Sequence, residues 1–173
     1  MSARAVFRRA EKGDMSEIMR VVHEAQAFMR GLDIDQWQDG YPDAATLERD
    51  IELKQLYVFA QEGRVCAVAA LSLLPEPVYD ALEGEWLSAK QYLTVHRMAL
   101  DDASRGRGLA TDMLSQAVRI AGENGCASVR VDTHRGNLAM RRFLEKNGFA
   151  YCGIVHYYVK LGDPMRVAYE KLI

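Results

Sequence analysis

Residues Arg105 to Thr111 read Arg-Gly-Arg-Gly-Leu-Ala-Thr. They sit between an apolar, strand-like run, YLTVHRMAL, and an apolar, helix-forming run that begins at Gly108. Glycine admits backbone torsions that other residues avoid and leaves no side chain in the way. At a strand-to-helix junction this exposes free N–H groups at the helix N-terminus, and such groups, with the helix dipole behind them, bind phosphate. Arg105 and Arg107 add charge suited to a diphosphate. The segment reads as a pyrophosphate cradle; its plain alternative is a solvated loop with a tight turn. Two stricter phosphate motifs do not fit. No Gly-Lys-Ser/Thr follows the glycines, as a P-loop requires. GRGLAT lacks the third glycine and the repeated βαβ setting of a dinucleotide fingerprint.

A second stretch of unusual composition is DIDQWQDGYPD, which places Trp37 and Tyr41 among Asp33, Asp35, Gln36, Gln38 and Asp39. Aromatic rings with carboxylates suit a cationic, amine-bearing molecule. The alternative is that Trp37 fills the core while Tyr41-Pro42 shapes the approach to the next helix.

These segments must be held by the elements around them. AVFRRA reads as a first strand. Asp14 then caps a helix, with Glu17 three residues on in the capping-box pattern. That helix carries Ile18, Val21, Val22, Ala25 and Phe28 on one face and stops near Gly31. A second helix starts near Asp43 and uses Leu47, Ile51 and Leu53. LYVFAQ, EGR and VCAVAALSLL form a strand, a tight turn and a strand. PEPVYDALEGEW is an irregular connection, and YLTVHRMAL is the fourth strand. A third helix runs from Gly108 to about Glu123, with Leu109, Met113, Leu114, Ala117 and Ile120 on its apolar side. ASVRVDTH is a strand. Asn137 caps a fourth helix that ends at Asn147-Gly148. FAYCGIVHYYV and MRVAYEKLI close the chain as two strands. The order is β-α-α-β-β-β-α-β-α-β-β. Three consecutive strands break any βα repeat, which predicts an α/β fold of the α+β type: a mixed, partly antiparallel sheet of seven strands with about four helices on its faces.

At 173 residues the chain suits a single domain, 1–173, with a substantial core. Its 49% hydrophobic and 27% charged content match a soluble globular protein. The formal net charge of −2 argues against nucleic-acid binding, which needs a clustered basic face. MSARAVFRRAEKGD holds no signal-peptide apolar core, and no run approaches the roughly 20 apolar residues of a membrane span. The expectation is a cytoplasmic protein with no membrane partner. Cys66, Cys126 and Cys152 are odd in number and widely spaced, which suggests three reduced thiols. The four histidines show no metal-ligand spacing, so no metal is expected.

Arg105-Gly106-Arg107-Gly108-Leu109-Ala110 resembles the R/Q-x-x-G-x-G/A motif of the GNAT superfamily of acyl-CoA-dependent N-acetyltransferases. Its place between the fourth strand and third helix is also the family's. VDTHRGNLAMRRFLEKNGFAYCG is similar to the family's fifth strand, N-capped fourth helix and the Gly-Phe that opens the sixth strand, and the order of elements agrees over essentially the whole chain. The resemblance implies transfer of an acetyl group from acetyl-CoA to a primary amine of a small molecule or protein, directly within a ternary complex. It implies that the backbone N–H groups of about Arg107 to Thr111 hold the pyrophosphate of coenzyme A. Met98, Ala99 and Leu100 would pair with the pantetheine arm and polarise the thioester carbonyl. Asn137 would reach the donor near the splay between strands four and five, and Phe143 and Leu144 would line its side of the fourth helix. A homodimer is common in the family. The acceptor site would lie between DIDQWQDGYPD and YCGIVHYYVKLGDP.

Acyl transfer to an amine needs the neutral amine, although a lysine-type amine has a pKa of about 10.4. A base must therefore take a proton, a donor must meet the oxyanion, and an acid helps the thiolate leave. In many GNAT relatives that acid is a tyrosine seven residues after the asparagine, a position held here by Leu144. Tyr151, Tyr157 and Tyr158 are the nearest replacements by sequence; His156 and Tyr157 alternate in facing and cannot both enter one site. For the base the candidates are His96, Glu24 and Asp132. His96 shares a face with Met98 and Leu100 if its strand is regular, and histidine as a residue type suits proton transfer; it could equally be packed against a helix. Glu24 lies on the flank of the first helix bordering the acceptor, or is simply solvated. Asp132 could equally pair with Arg130 or Arg97. Two other readings stay open: a catalytically idle acyl-CoA-binding or sensor module of the same fold, and a protein that uses the glycine–arginine loop on ATP or NAD.

Overall fold

The computed structural model describes residues 4–173. Eight strands form one open, mostly antiparallel sheet: β1 (Val6–Arg9), β2 (Leu56–Gln61), β3 (Arg64–Ser72), β4 (Glu83–Gly84), β5 (Tyr92–Leu100), β6 (Ser128–His134), β7 (Ala150–His156) and β8 (Met165–Leu172). Four helices accompany them: α1 (Met15–Gly31), α2 (Ala44–Glu52), α3 (Leu109–Glu123) and α4 (Leu138–Lys146). The strand order is β1-β2-β3-β5-β6-β8-β7-β4. The β5–β6 pair is parallel, as a strand–helix–strand crossover through α3 requires.

The helices cover both faces because each presents an apolar stripe. Met113, Leu114, Ala117 and Ile120 of α3 pack with Leu93, Val95, Val129, Val131 and Tyr169 of the sheet, and Leu144 of α4 joins them. On the other face Ile18, Val21, Val22 and Ala25 of α1 pack with Leu47 of α2 and Val58 and Val68. Each fully buried Val, Leu, Ile or Met among them contributes on the order of 1.5–3 kcal/mol.

Three local expectations are corrected. Phe28 fits the α1 stripe by spacing, but it is 44% exposed and Met29 is buried instead; the ring lies under the Arg105 guanidinium, 3.9 Å from its centroid. Asp14 does not cap α1 in a box with Glu17. Its carboxylate accepts from Arg8 at 2.7 and 2.8 Å and from the Glu11 N–H at 2.8 Å, while Glu17 turns to Arg20. The irregular connection before β5 contains an eighth strand, β4, paired antiparallel with β7. Gly84 and Gly153 meet there so closely that a Cβ on either would collide with backbone.

Two features set β5 apart from the other strands. Its ladder with β6 runs from Tyr92↔Ser128 to Val95↔Val131 and goes no further, so the two strands part beyond those residues. Against β3, Ala70 faces His96 and Val68 faces Ala99, so Arg97 and Met98 together oppose Ala69. This is a β-bulge, and Arg97 sits in it at φ 53°.

Candidate active site

A cleft of about 880 Å³ opens where β5 and β6 part. Its lining comes from β5, β6, α4, the α1–α2 loop, the β7–β8 loop and the start of α3.

At one end lies the glycine–arginine loop. Gly106 and Gly108 adopt φ 73° and 86°, torsions that L side chains rarely take, and a Cβ on either would meet no atom of the chain. Gly108 is the residue before α3, and the first helical bond runs from the Asp112 N–H to the Gly108 carbonyl. The N–H groups of Leu109, Ala110 and Thr111 therefore precede the helical ladder, as the first turn of any helix requires. Arg105 stacks on Phe28, donates to Asp102 at 3.1 Å, and keeps its buried Nη2 without a hydrogen-bond partner. Arg105, Gly106 and Ala110 line the cleft; Arg107, Gly108, Leu109 and Thr111, expected with them, are not among its lining residues. Beside them, Met98, Ala99 and Leu100 line the cleft along the edge of β5 that β6 has left. Asn137 and Phe143 line it from α4. The Asn137 Oδ1 caps that helix by accepting from the Met140 N–H at 3.1 Å. Leu144 is 0% exposed inside the core and does not line the cleft.

The bulge corrects the placement of His96. Val95 and Met98 pack on the same α3-side core, so the alternation is broken between them. His96 therefore faces away from Met98 and Leu100. It lines the cleft from the opposite face, with Nε2 3.1 Å from Oε2 of Glu76. That hydrogen bond holds the Glu76 carboxyl below its usual range despite burial. Arg97, turned by the bulge, donates to both oxygens of buried Asp50 at 2.7 and 2.8 Å and to the Tyr41 hydroxyl at 2.7 Å. Burial raises the Tyr41 phenol, and Arg97 opposes that shift.

Asp132 pairs with neither Arg130 nor Arg97. Its Oδ2 accepts from two phenols, Tyr79 at 2.8 Å and Tyr157 at 2.9 Å. Burial, then the Asp132 charge, holds both phenols well above their ordinary range. Tyr157 lines the cleft, but its proton is directed to Asp132. Tyr151 stands outside, 56% exposed and packed edge-on against Tyr169; Tyr158 borders the cleft while 96% exposed. Glu24 is not among the cleft residues. It accepts from Arg20 at 2.7 Å and from the Asp102 N–H at 2.8 Å, and so braces the loop that leads into the glycine–arginine turn.

Trp37 packs on the α1 core and also lines the cleft beside Tyr41. The aspartates around it are mostly engaged within the fold. Asp35 accepts from the Asp163 N–H at 2.9 Å and meets His134 Nε2 at 2.8 Å. Asp39 accepts from the N–H groups of Tyr41 and Lys160, and Asp43 caps α2 through Thr46. These bonds join the α1–α2 loop to the β7–β8 loop across the cleft.

Sequence reasoning missed Tyr79, Glu76 and Asp50. Tyr79 and Glu76 come from the long connection between β3 and β5, which Leu87 and Ser88, after β4, tie to the sheet. A signal did exist for the anchor of that segment: Arg130 and Glu170 are charges set mid-strand in apolar runs. Arg130 Nε donates to Glu170 at 3.0 Å, and the Glu170 carboxylate also accepts from the N–H groups of Leu87 and Ser88. All three cysteines are buried and free. Among the described residues no group of three or more His, Cys, Asp or Glu is placed to hold a metal ion, and no helix is long and apolar enough to cross a membrane.

The fold and cleft define an acyl-CoA-type transferase architecture, and comparison with known proteins agrees. Residues 18–149 match the family described as Acetyltransferase (GNAT) family. A solved acetyltransferase of that family from Streptococcus agalactiae is 35% identical, with a TM-score of 0.86 over 100% of this chain and 99% of its own. The chain belongs to the GNAT acetyltransferase family. Two solved structures share the fold at lower identity. A GNAT-family acetyltransferase from Listeria monocytogenes is 20% identical, with a TM-score of 0.75 and complete coverage of both chains. The PaiA N-acetyltransferase of Thermoplasma acidophilum, in complex with coenzyme A, is 16% identical, with a TM-score of 0.73 over 99% of this chain and 100% of its own. Among curated proteins no sequence matches this chain.

Proposed function

We propose that this protein is an acetyl-CoA-dependent N-acetyltransferase that acts on a primary amine by direct transfer in a ternary complex. The observation that carries the reading is the parting of β5 from β6 beside a helix N-terminus preceded by two glycines at positive φ. An extended thioester donor fits such a split. The β5 edge at Met98–Leu100 offers backbone partners to its arm, and the N–H groups of Leu109 to Thr111 with the unpartnered Arg105 Nη2 suit its diphosphate. A backbone N–H of that edge is the donor for the developing oxyanion.

His96 is the proton acceptor in this reading. Glu76 engages Nε2, which favours a proton there and leaves the lone pair on Nδ1. Trp37 and Tyr41 form the wall against which the acceptor rests. Titration with acetyl-CoA by calorimetry, with ATP and NAD as controls, tests the donor. Micromolar binding of acetyl-CoA alone supports the assignment, and no binding by folded protein overturns it.

A second reading has one observation in its favour. Leu144 is buried where many relatives carry a phenol, and Tyr157 gives its proton to Asp132, so no acid stands ready for the thiolate. A donor-binding module without turnover would look this way. Coenzyme A thiolate leaves acceptably unaided, and turnover with any amine rejects the module.

A further inference from the structure

Six carboxylates line or border the acceptor half of the cleft, and five are committed. Asp35, Asp39 and Asp43 hold the two loops and the cap of α2. Asp50 is taken by Arg97 on both oxygens. Glu76 receives His96 on one oxygen and the Val78 N–H on the other. Asp132 differs. Both of its phenol donors converge on Oδ2, so Oδ1 accepts no hydrogen bond from any described residue. Asp43 also keeps one oxygen, but on an exposed residue at the rim.

The position of Asp132 is set by register. The last β5–β6 pair is Val95↔Val131. His96 and Asp132 are the next residues on the two strands, on the same face, at the vertex where the strands separate. Partners for both come from one segment, since Glu76 meets His96 and Tyr79 meets Asp132. Asp132 thus stands where an acceptor nitrogen would meet a thioester lying along the freed β5 edge.

We propose that Oδ1 of Asp132 is the group that receives the acceptor nitrogen, and that Tyr79 and Tyr157 are positioning residues that fix the carboxylate through Oδ2. This rests on the acetyltransferase reading and adds a specificity to it: the acceptor is a basic amine, which Oδ1 binds as its ammonium form and which gives one proton to solvent before its lone pair attacks. The chemistry is selective for the transition state. As the nitrogen lone pair forms the N–C bond, the carbonyl pair moves to oxygen and the nitrogen becomes cationic. Oδ1 accepts a hydrogen bond from that cation, which is stronger than its bond to the neutral amine. The proton then passes to His96, and the C–S bond breaks with its electron pair on sulfur. Two phenol donors on one oxygen hold the carboxylate in one orientation.

The test uses the full chain and two variants. Asp132→Asn retains an oxygen for the phenols and turns the other position, Oδ1, from acceptor to donor. Tyr79→Phe combined with Tyr157→Phe frees the carboxylate without removing it. Coenzyme A affinity is measured first by calorimetry for all three proteins. Binding of phenethylamine and putrescine to the CoA-saturated proteins comes next, with 2-phenylethanol and 1,4-butanediol as neutral counterparts, and then turnover of both amines. The expected result is unchanged coenzyme A affinity in all three and preference of the wild type for amines over alcohols. Asp132→Asn loses that preference, with kcat/KM down about 100-fold, the scale of removing one transition-state partner. The double phenylalanine variant shows a smaller loss, mainly in kcat. A wild type that binds coenzyme A but prefers neither amine over its alcohol overturns this proposal alone. So does an Asp132→Asn variant with wild-type turnover. A wild type that fails to bind coenzyme A overturns the donor reading and this inference with it.

Discussion

Replacing Glu170 with glutamine keeps its shape and removes one charge from an ion pair whose side chains are 5% and 0% exposed. Every group around the carboxylate is a donor: Ser128 Oγ, Arg130 Nε, and the N–H groups of Leu87 and Ser88. A carboxylate can accept from all of them, whereas glutamine must turn an NH2 toward some. Arg130 remains charged. It is clamped between Trp86 at 4.0 Å and Tyr92 at 3.8 Å, and the Ser88 carbonyl at 2.6 Å is its remaining acceptor. Leaving one member of a buried pair uncompensated costs about 3–5 kcal/mol. With a urea m-value of about 2 kcal/mol/M, the midpoint falls by roughly 2 M. Equilibrium urea unfolding followed by tryptophan fluorescence reads the shift. Replacing both partners, Glu170→Leu with Arg130→Leu, recovers most of the loss, because the cost lies in the orphaned charge. A midpoint for Glu170→Gln within about 0.5 M of wild type, or a double variant no better than Glu170→Leu alone, refutes the reasoning.

Four other outcomes are expected. Gly108→Asp abolishes coenzyme A binding, because a carboxylate meets the diphosphate, while Gly108→Ala shares the roughly 1–2 kcal/mol left-handed strain without the charge and still binds; wild-type affinity in the aspartate variant removes the cradle. Trp37→Ala raises the acceptor KM more than that of acetyl-CoA, in steady-state kinetics with both substrates varied; equal effects leave Trp37 a core residue. His96→Ala cuts kcat while coenzyme A affinity by calorimetry is unchanged; a wild-type kcat leaves it a packing residue. Arg8 hydrogen-bonds to Asp14 and lowers its carboxyl pKa, so that carboxylate stabilises the fold above about pH 4 and loses its contribution as pH falls through the lowered value. Asp14→Asn therefore flattens the acid limb of a stability–pH curve, and parallel curves count against the pairing.

The order of helices and strands was legible because long apolar stripes repeat at 3.6 or 2 residues and their cores follow from that period. The turn into the third helix was legible because its paired glycines mark backbone at positive φ, which Gly106 and Gly108 adopt. What failed did so for physical reasons. A β-bulge adds one residue, and nothing in YLTVHRMAL marks Arg97 as the position that takes φ 53°. Facing in the second half of that strand therefore reverses, and with it the side from which His96 meets the cleft. Phe28 fits its helical stripe as well as Met29 does, and the difference is made by Arg105, far away in sequence. The acidic loop around Trp37 looked like a cation site, yet its carboxylates mostly hold neighbouring N–H groups. Tyr79 reaches Asp132 from a segment with no periodicity at all.

The two halves of the cleft therefore depend on different forces. The donor half stands on apolar packing: α3 is fixed by Met113, Leu114 and Ala117 against β5 and β6, and its free N–H groups lie wherever that helix begins. The acceptor half stands on polar bonds with strict geometry. Glu170 and Arg130 pin the segment that carries Glu76 and Tyr79, and those residues hold His96 and Asp132 at the vertex. Core packing tolerates substitution of similar volume at modest cost, whereas a buried polar network loses its geometry when one member is lost. Drift in the apolar core would thus leave the donor half intact, while a single change in the Glu170 network would move both His96 and Asp132. A fold organised this way can retain one donor while its acceptor is reset by a few polar residues outside the regular helices and strands.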